Sequence, residues 1–237
     1  MIPLNKKNKS IKIKSNKNVI INTDNQDPKI VVDFTELKIE EENDIINTLP
    51  KKVVSKDTYT EKVLKEQYLI HKSYVKSRKE STKKLGVNVR FPSIPEDISE
   101  NIVKFIIHNK LNDKTSSWDC KKGDLYSEKE GKQECKCFTS DGPLSFTPTS
   151  EWDVIYFLDA RSWLDDKFIL YKILLKRTSD EWKNIKVNKL QTFGDQCKEK
   201  RRPRITWESL KLQILSQCII VYEGSFDDIF IPLEVKE

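Results

Sequence analysis

Two acidic residues and a lysine, Asp124, Glu134 and Lys136, lie in the stretch "KKGDLYSEKEGKQECKCF" of residues 121–138. Two carboxylates in a chain with only two histidines indicate a site for a hard cation, Mg²⁺ or Mn²⁺. A lysine beside them would lower the pKa of an attacking water or balance negative charge that develops during a reaction. Because charged groups are costly to bring together without compensation, the surrounding elements decide whether these residues form a site.

The spacing of these residues predicts two adjacent strands joined by a turn at residues 130–132. Successive side chains of a strand point to opposite faces, so Glu134 and Lys136 share one face and Cys135 points to the other. If Asp124 begins the neighbouring strand of the hairpin, its carboxylate can meet that of Glu134. The alternative is an ordinary surface hairpin whose charges form weak ion pairs.

The elements around the hairpin predict a mixed α/β domain. A helix is expected after Pro95, because acidic residues occupy its first turn and apolar residues follow at helical spacing, with Glu100 near the buried stripe. Further apolar segments predict a central, a following and a late buried strand and one more helix, at residues 151–160, 166–176, 218–224 and 204–217. The predicted fold class is therefore α/β, a mixed central β-sheet flanked by helices, with an N-terminal extension.

The formal net charge of +6 is distributed unevenly along the 237 residues. It is +8 over residues 1–90, −4 over 91–175, +6 over 176–211 and −4 over 212–237. An acidic centre bordered by basic segments suits a cation site beside a surface for a polyanion, and the alternative is a merely patchy surface.

Five cysteines, an odd number, do not indicate a disulfide framework and favour a reducing, cytoplasmic compartment. They contain no C-x2-C pair, which disfavours a structural zinc site, and no candidate base marks any of them as a nucleophile. The sequence also has no run of 18 apolar residues, so no membrane association is expected.

Gly123-Asp124-Leu125, followed by Glu134-Cys135-Lys136, resembles the signature of the PD-(D/E)XK nuclease superfamily, with Gly123 where the motif has proline. The preceding helix with its internal Glu100 matches the layout of that superfamily. Within it, the chain is most similar to a type II restriction endonuclease, and the resemblance covers residues 95–175 well. A restriction-endonuclease-like core is the fold that this resemblance implies.

The resemblance also implies a role for each residue of the motif. Asp124 and Glu134, together with the Cys135 carbonyl, would ligate Mg²⁺, for which Mn²⁺ could substitute. Lys136 would orient or help deprotonate the water that attacks the scissile phosphate, and Glu100 would bind a second ion or a bridging water. Asp119 is the alternative first acid, since the sequence does not fix the length of the loop before the strand.

A basic segment at residues 183–207 carries side chains suited to phosphates and base edges. The candidate DNA-binding residues are Lys186, Asn188, Lys189, Gln191, Thr192, Arg201, Arg202 and Arg204. Taken without the motif, this segment would read as a solvated basic loop. A basic stretch at residues 6–17 would add sequence-independent affinity.

The resulting hypothesis is a Mg²⁺-dependent, sequence-specific endonuclease for double-stranded DNA that acts as a homodimer. The alternatives are a structure-selective nuclease, such as a junction resolvase or repair nuclease, and a non-catalytic DNA-binding protein. We expect three segments: a basic, partly flexible arm at residues 1–57, an amphipathic helical segment at 58–90 and a nuclease domain at 91–237. The helical segment is a candidate for the dimer interface or for embracing DNA.

Overall fold

The computed structural model of the chain describes residues 59–87, 90–118 and 124–233, together with two short strands at 11–13 and 39–41. The remainder of the expected N-terminal arm lies outside the described residues. Residues 1–53 and 54–237 form two separate units. In the first unit, β1 (Ile11–Ile13) pairs antiparallel with β2 (Ile39–Glu41).

The second unit begins with a long amphipathic helix, α1 (Glu61–Leu85). The side chain of Thr60 caps its first turn by accepting a hydrogen bond from the Val63 N–H at 3.3 Å. At the other end Gly86 adopts φ +64°, a left-handed conformation that glycine tolerates without the usual steric cost. Residues at helical spacing on one face, Leu64, Tyr68 and Val75, are buried in the core.

The helix expected after Pro95 is α2 (Glu96–Lys110). Glu96 and Asp97 lie in its first turn, where the partial positive charge of the helix N-terminus favours carboxylates. The hydroxyl of Tyr59 donates to Asp97 at 2.5 Å and so connects the start of α1 to the start of α2. The buried face of α2 includes the carboxylate-bearing Glu100 as well as apolar residues.

A six-stranded sheet forms the centre of the second unit. Its strands are β3 (Ser117–Trp118), β4 (Leu125–Ser127), β5 (Gly131–Phe138), β7 (Val154–Asp159), β8 (Lys167–Ile173) and β10 (Cys218–Ser225). Their order across the sheet is β10-β8-β7-β5-β4-β3. The pair β5 and β7 is parallel, whereas the other pairs in this sheet are antiparallel. Every residue of β7 is buried, as expected for a central strand.

Two hydrophobic cores cover the two faces of the sheet. Residues of α1 and α2 pack with Tyr156, Leu158 and Phe168 on one face. The other face, with Ile155 and Phe157, is covered by shorter elements. These are α3 (Asp180–Lys183), α4 (Phe193–Lys198), α5 (Trp207–Gln213) and the strand pair β6 (Leu144–Ser145) and β9 (Arg204–Ile205). Single 3₁₀ turns occupy Trp163–Asp165, Leu215–Gln217 and Asp227–Phe230.

This arrangement confirms the predicted fold class, a mixed sheet flanked by helices. None of the helices in the described part of the chain combines the length and the apolar composition that a membrane span requires.

Two predicted elements differ from those observed. The prediction that the late strand is buried is wrong. This strand, β10, lies at the edge of the sheet, and its Ile219 and Ile220 are about half exposed. Its apolar sequence resembles a central strand because composition does not reveal strand order. The last helix begins only at Trp207, because Arg204 and Ile205 pair with β6 instead.

Tyr68 helps to attach α1 to the sheet, because its buried hydroxyl lies 2.7 Å from the Trp163 carbonyl oxygen and 2.8 Å from Asp166 Oδ1 and shares its one proton between these two acceptors. Tyr68→Phe removes this donor and leaves the Trp163 carbonyl without it. We expect the free energy of unfolding to fall by about 1–3 kcal/mol, measured by urea denaturation. The matched control is Tyr74→Phe on the same helix, which should change it by less than about 0.5 kcal/mol, since Tyr74 is half exposed and its hydroxyl loses a solvent-exposed hydrogen bond from Arg78. Equal effects of the two changes would contradict this account.

Candidate active site

Asp124 lies immediately before β4, at the point where the β4–β5 ladder ends. Leu125 is opposite Gln133 in that ladder, so Asp124 adjoins the next residues of β5. Its Oδ2 accepts a hydrogen bond from the backbone N–H of Cys135 at 2.8 Å. The carboxylate thus takes the place of a backbone acceptor that a longer β4 would offer, and this bond fixes it against β5.

Glu134 and Lys136 project from the same face of β5, as the alternation of strand side chains requires. Lys136 Nζ donates to Glu134 Oε1 at 2.5 Å, and Glu134 is only 5% exposed. This ion pair is therefore different from the weak, solvent-screened pairs of a surface hairpin.

Burial and the neighbouring charges shift the pKa values of both groups. Burial raises the pKa of Glu134, and the charge of Asp124 raises it further, while the ammonium of Lys136 acts in the opposite direction. For Lys136, burial alone would lower the pKa, but the carboxylates of Glu134 and Asp124 outweigh it and raise the pKa above 10.5. Lys136 is consequently a cation at neutral pH.

Glu100 completes an acidic cluster in an open cleft of about 740 Å³. Its side chain comes from α2 and is 7% exposed, and Asp124 and Glu134 line the same cleft. The charges of all three carboxylates raise the pKa of the Cys135 thiol, after the larger effect of burial. The structure therefore brings together the four residues that the motif and the preceding helix nominate, Glu100, Asp124, Glu134 and Lys136.

The described cysteines are free thiols that serve as packing residues. Cys135 and Cys137 pack against the core beneath α2, as small hydrophobic side chains. Burial raises the pKa of both thiols, which keeps them protonated and poor as nucleophiles.

The donor set of the cleft fits a hard cation. Within the described ranges, no group of three or more Asp, Glu, His or Cys side chains is placed to hold a metal ion. Mg²⁺ nevertheless keeps several waters and takes one or two carboxylates, so Asp124 and Glu134 with a backbone carbonyl are a sufficient set. A cation would also offset the repulsion that raises the pKa of Glu134. The alternative ligand Asp119, like Gly123, lies outside the described residues.

A buried polar network, which the sequence did not predict, connects the β4–β5 hairpin to the neighbouring strands. Glu130 accepts hydrogen bonds from the Tyr156 hydroxyl at 2.6 Å and from Gln133 Nε2 at 3.0 Å, and it forms an ion pair with Lys172. Gln133 in turn accepts a hydrogen bond from the Ser116 hydroxyl at 2.7 Å. The members of this network come from β5, β7, β8 and the segment before β3. The network therefore fixes the position of the β4–β5 hairpin relative to the other strands of the sheet.

The sequence also did not predict a second group of residues that line the cleft, which we call the wall of the cleft. It consists of residues 143–151, between β5 and β7, and includes the side chains of Ser145, Thr147, Thr149 and Ser150. Their sequence, "PLSFTPTSE", shows only a polar loop, and no motif marks it.

The basic residues near the end of the chain are partly connected to this wall. Arg204 lies opposite Ser145 in the β6–β9 pair, and the Phe146 N–H donates to the Pro203 carbonyl at 3.0 Å. Arg204 is exposed beside the cleft, and Arg201 and Arg202 precede it in the chain and are exposed as well.

The other candidate DNA-binding residues form a turn at 186–192 whose side chains are largely engaged within the protein. Asn188 Oδ1 accepts hydrogen bonds from the N–H groups of residues 190 and 191, each at 2.9 Å. Thr192 caps α4 with Asp195 in a capping box, and Gln191 donates to Glu199 at 3.0 Å. Lys186 and Lys189 remain exposed.

The fold and the cleft define an α/β protein with a buried carboxylate, a partly buried carboxylate and a charged lysine at the end of a sheet hairpin. A model of the Bsp6I restriction endonuclease family matches residues 57–216, more than half of the chain. The chain belongs to this family.

Among individual proteins, the chain is similar to the type II restriction enzyme Bsp6I of Bacillus sp. (strain RFL6), with 32% identity over 114 residues. That match covers 48% of this chain and 62% of the relative. The chain therefore spans less than two thirds of the length of this relative. No solved structure matches the chain.

The electrostatic coupling of the two acids can be tested by titration. We expect Glu134 to titrate above pH 4.5 without divalent cations, and Asp124→Asn to lower its pKa by removing a neighbouring charge. Because the folded pKa is raised, the contribution of Glu134 to stability is fully present below pH 4.5 and is lost as the pH rises through the folded value. The measurement is a carboxyl ¹³C NMR titration in EDTA. An unchanged pKa of Glu134 in the variant would show that the acids are not coupled.

Proposed function

We propose that this protein is a Mg²⁺-dependent, sequence-specific endonuclease of the type II restriction class that hydrolyses phosphodiester bonds in double-stranded DNA. The observation that supports this proposal most strongly is the cleft in which Asp124, Glu134 and Lys136 lie together at the end of the β4–β5 hairpin. Membership of the Bsp6I restriction endonuclease family supports the same activity. The name of the relative, a type II restriction enzyme, supports the substrate class.

The site is proposed to be of the PD-(D/E)XK kind. Asp124 and Glu134, with the Cys135 carbonyl, would hold the cation, and Mn²⁺ could replace Mg²⁺. When bound, the ion supplies Lewis acidity toward the scissile phosphate. The Cys135 N–H already orients the Asp124 carboxylate. The backbone of one residue of β5 would therefore position Asp124 and also supply the carbonyl ligand.

Lys136 is proposed to act as a cation that orients the attacking water and balances the charge developing on the phosphate. In the metal-free protein the carboxylates of Glu134 and Asp124 raise the pKa of Lys136, so its ammonium group can donate to the water or the phosphate. The ion pair with Glu134 holds Nζ at the cleft in advance of the reaction. Glu100 would hold a second ion or a bridging water from the α2 side of the cleft.

DNA binding is proposed to use the exposed cations Lys186, Lys189, Arg201, Arg202 and Arg204. Asn188, Gln191 and Thr192 belong to the same proposed surface, although each already makes a hydrogen bond within the protein through its side chain. The basic stretch at residues 6–17, within the arm at residues 1–57, would add sequence-independent affinity.

Assembly as a homodimer is part of the proposal, since two-fold symmetric proteins suit palindromic sites. The helical segment at 58–90 is a candidate interface, because Leu69, Ile70 and Tyr74 on α1 are each at least half exposed. The domain at residues 91–237 would carry the active site. We also place the protein in the cytoplasm, where a restriction enzyme meets incoming DNA.

The activity is tested by incubating the purified full chain with unmethylated phage DNA in Mg²⁺ and in EDTA. The proposal expects discrete fragments in Mg²⁺ alone. Cleavage confined to branched DNA would indicate a structure-selective nuclease instead. Salt-sensitive binding without cleavage at any Mg²⁺ concentration would indicate a non-catalytic DNA-binding protein.

The assignment of residues is tested by Lys136→Ala and Asp124→Asn. Each should lower the cleavage rate by at least about 100-fold, because each removes a group aimed at the reacting phosphate or its cation, while DNA binding is largely retained. Lys129→Ala is the control, since it removes an exposed lysine from the β4–β5 turn and should cut normally. Circular dichroism establishes that the variants fold. Normal cutting by either site variant would refute the assignment.

A further inference from the structure

We propose that the wall of the cleft at residues 143–151 is a phosphate-binding surface. On this proposal the hydroxyl groups of Ser145, Thr147 and Thr149 donate hydrogen bonds to backbone phosphates of the nucleic-acid strand that passes the acidic cluster. The inference rests on the proposed function, because it assumes that the cleft accepts a phosphodiester.

The first observation is that these hydroxyls make no hydrogen bonds that stabilise the described part of the fold. All three residues are exposed, and none of their hydroxyls bonds to another residue in the part of the chain that the structure describes. Elsewhere the protein employs such groups internally: Thr60, Thr192 and Thr206 each cap a helix. A cluster of unengaged hydroxyls that faces a cleft is therefore available to a ligand.

The second observation is the charge of the cleft. Its lining includes five carboxylates but only two lysines, and both lysines are already paired. Lys132 donates to Glu151 at 2.6 Å, and Lys136 donates to Glu134 at 2.5 Å. An additional lysine or arginine in the wall would be drawn toward the remaining carboxylates. A hydroxyl has no charge to pair, so it stays free to donate to a phosphate oxygen.

The third observation is that the wall is rigid. Ser145 is held by the β6–β9 pair, and the Ser150 N–H donates to the Thr147 carbonyl at 3.2 Å. Between them Phe146 is fully buried and packs edge-on against Trp182 and Phe193. Because the backbone is fixed, binding does not have to order the loop, and weak donors can contribute to affinity.

Phosphates are favoured over base edges as the ligand for geometric reasons. The wall lines the same cleft as the residues proposed to act on a phosphate, so the backbone of the same strand is the nearest source of acceptors. Arg204, opposite Ser145 across β6–β9, would contact the same backbone at the rim of the cleft. Together the hydroxyls and Arg204 would hold the strand in register with Lys136.

The test uses the full chain with Thr147→Val and Thr149→Val combined, which removes two hydroxyls with little change of side-chain volume. Binding to a short duplex is measured by fluorescence anisotropy in EDTA, so that no cleavage occurs, between 50 and 200 mM salt. We expect the double variant to bind at least about tenfold more weakly. The slope of log Kd against log salt should be unchanged, because no charge is removed. Arg204→Ala should instead reduce that slope by about one.

Thr178→Val is the matched control, because Thr178 is exposed but does not line the cleft, and it should bind like the wild type. The loss in the double variant should be equal on a duplex with the mapped cleavage sequence and on a scrambled one. A loss limited to the cleavable sequence would overturn the proposal in favour of base readout. Unchanged affinity of the double variant, in a protein that cuts DNA, would overturn this proposal alone. A wild-type protein that neither binds nor cuts DNA would overturn the proposed function as well.

Discussion

The rest of the site depends on one electrostatic constraint, which is that the buried carboxylate of Glu134 is held close to the partly buried carboxylate of Asp124. Asp124 and Glu134 repel each other, and burial adds to the cost of ionising Glu134. Lys136 offsets part of that cost through its ion pair with Glu134. A protein keeps such an arrangement when a cation or a substrate compensates it, and this is the physical argument for a cation site.

The fold supplies the means of maintaining this constraint. Asp124 accepts a hydrogen bond from the Cys135 N–H at the end of a short strand, and Glu134 lies on a strand bonded to the fully buried β7. Behind them, the buried network around Glu130 prevents the hairpin from sliding along the sheet. Helix α2 contributes a third carboxylate, that of Glu100, to the same cleft. Each acid therefore comes from a different element, and the sheet core sets their spacing.

The sequence predicts the parts of this site that are local. Glu134 and Lys136 are two residues apart on one strand, and Asp124 is brought near by a single hairpin, so alternation and turn chemistry suffice to place them. The helical position of Glu100 follows from the apolar stripe of α2. In contrast, the pairing of Ser145 with Arg204 joins two-residue strands far apart in the chain, and such short strands leave no periodic pattern. The edge position of β10 is equally hidden, since Ile219 and Ile220 read as buried residues.

The central claim is that Asp124 and Glu134 share a divalent cation. The most direct measurement is a Mn²⁺ titration of the protein followed by the electron paramagnetic resonance signal of the free ion. Asp124→Asn serves as the comparison because it keeps an acceptor for the Cys135 N–H. Asp180→Asn serves as the control because Asp180 is exposed and does not line the cleft. The account predicts that the wild type and Asp180→Asn bind Mn²⁺ and that Asp124→Asn loses this binding. Equal binding by all three proteins, or none by the wild type, would contradict it.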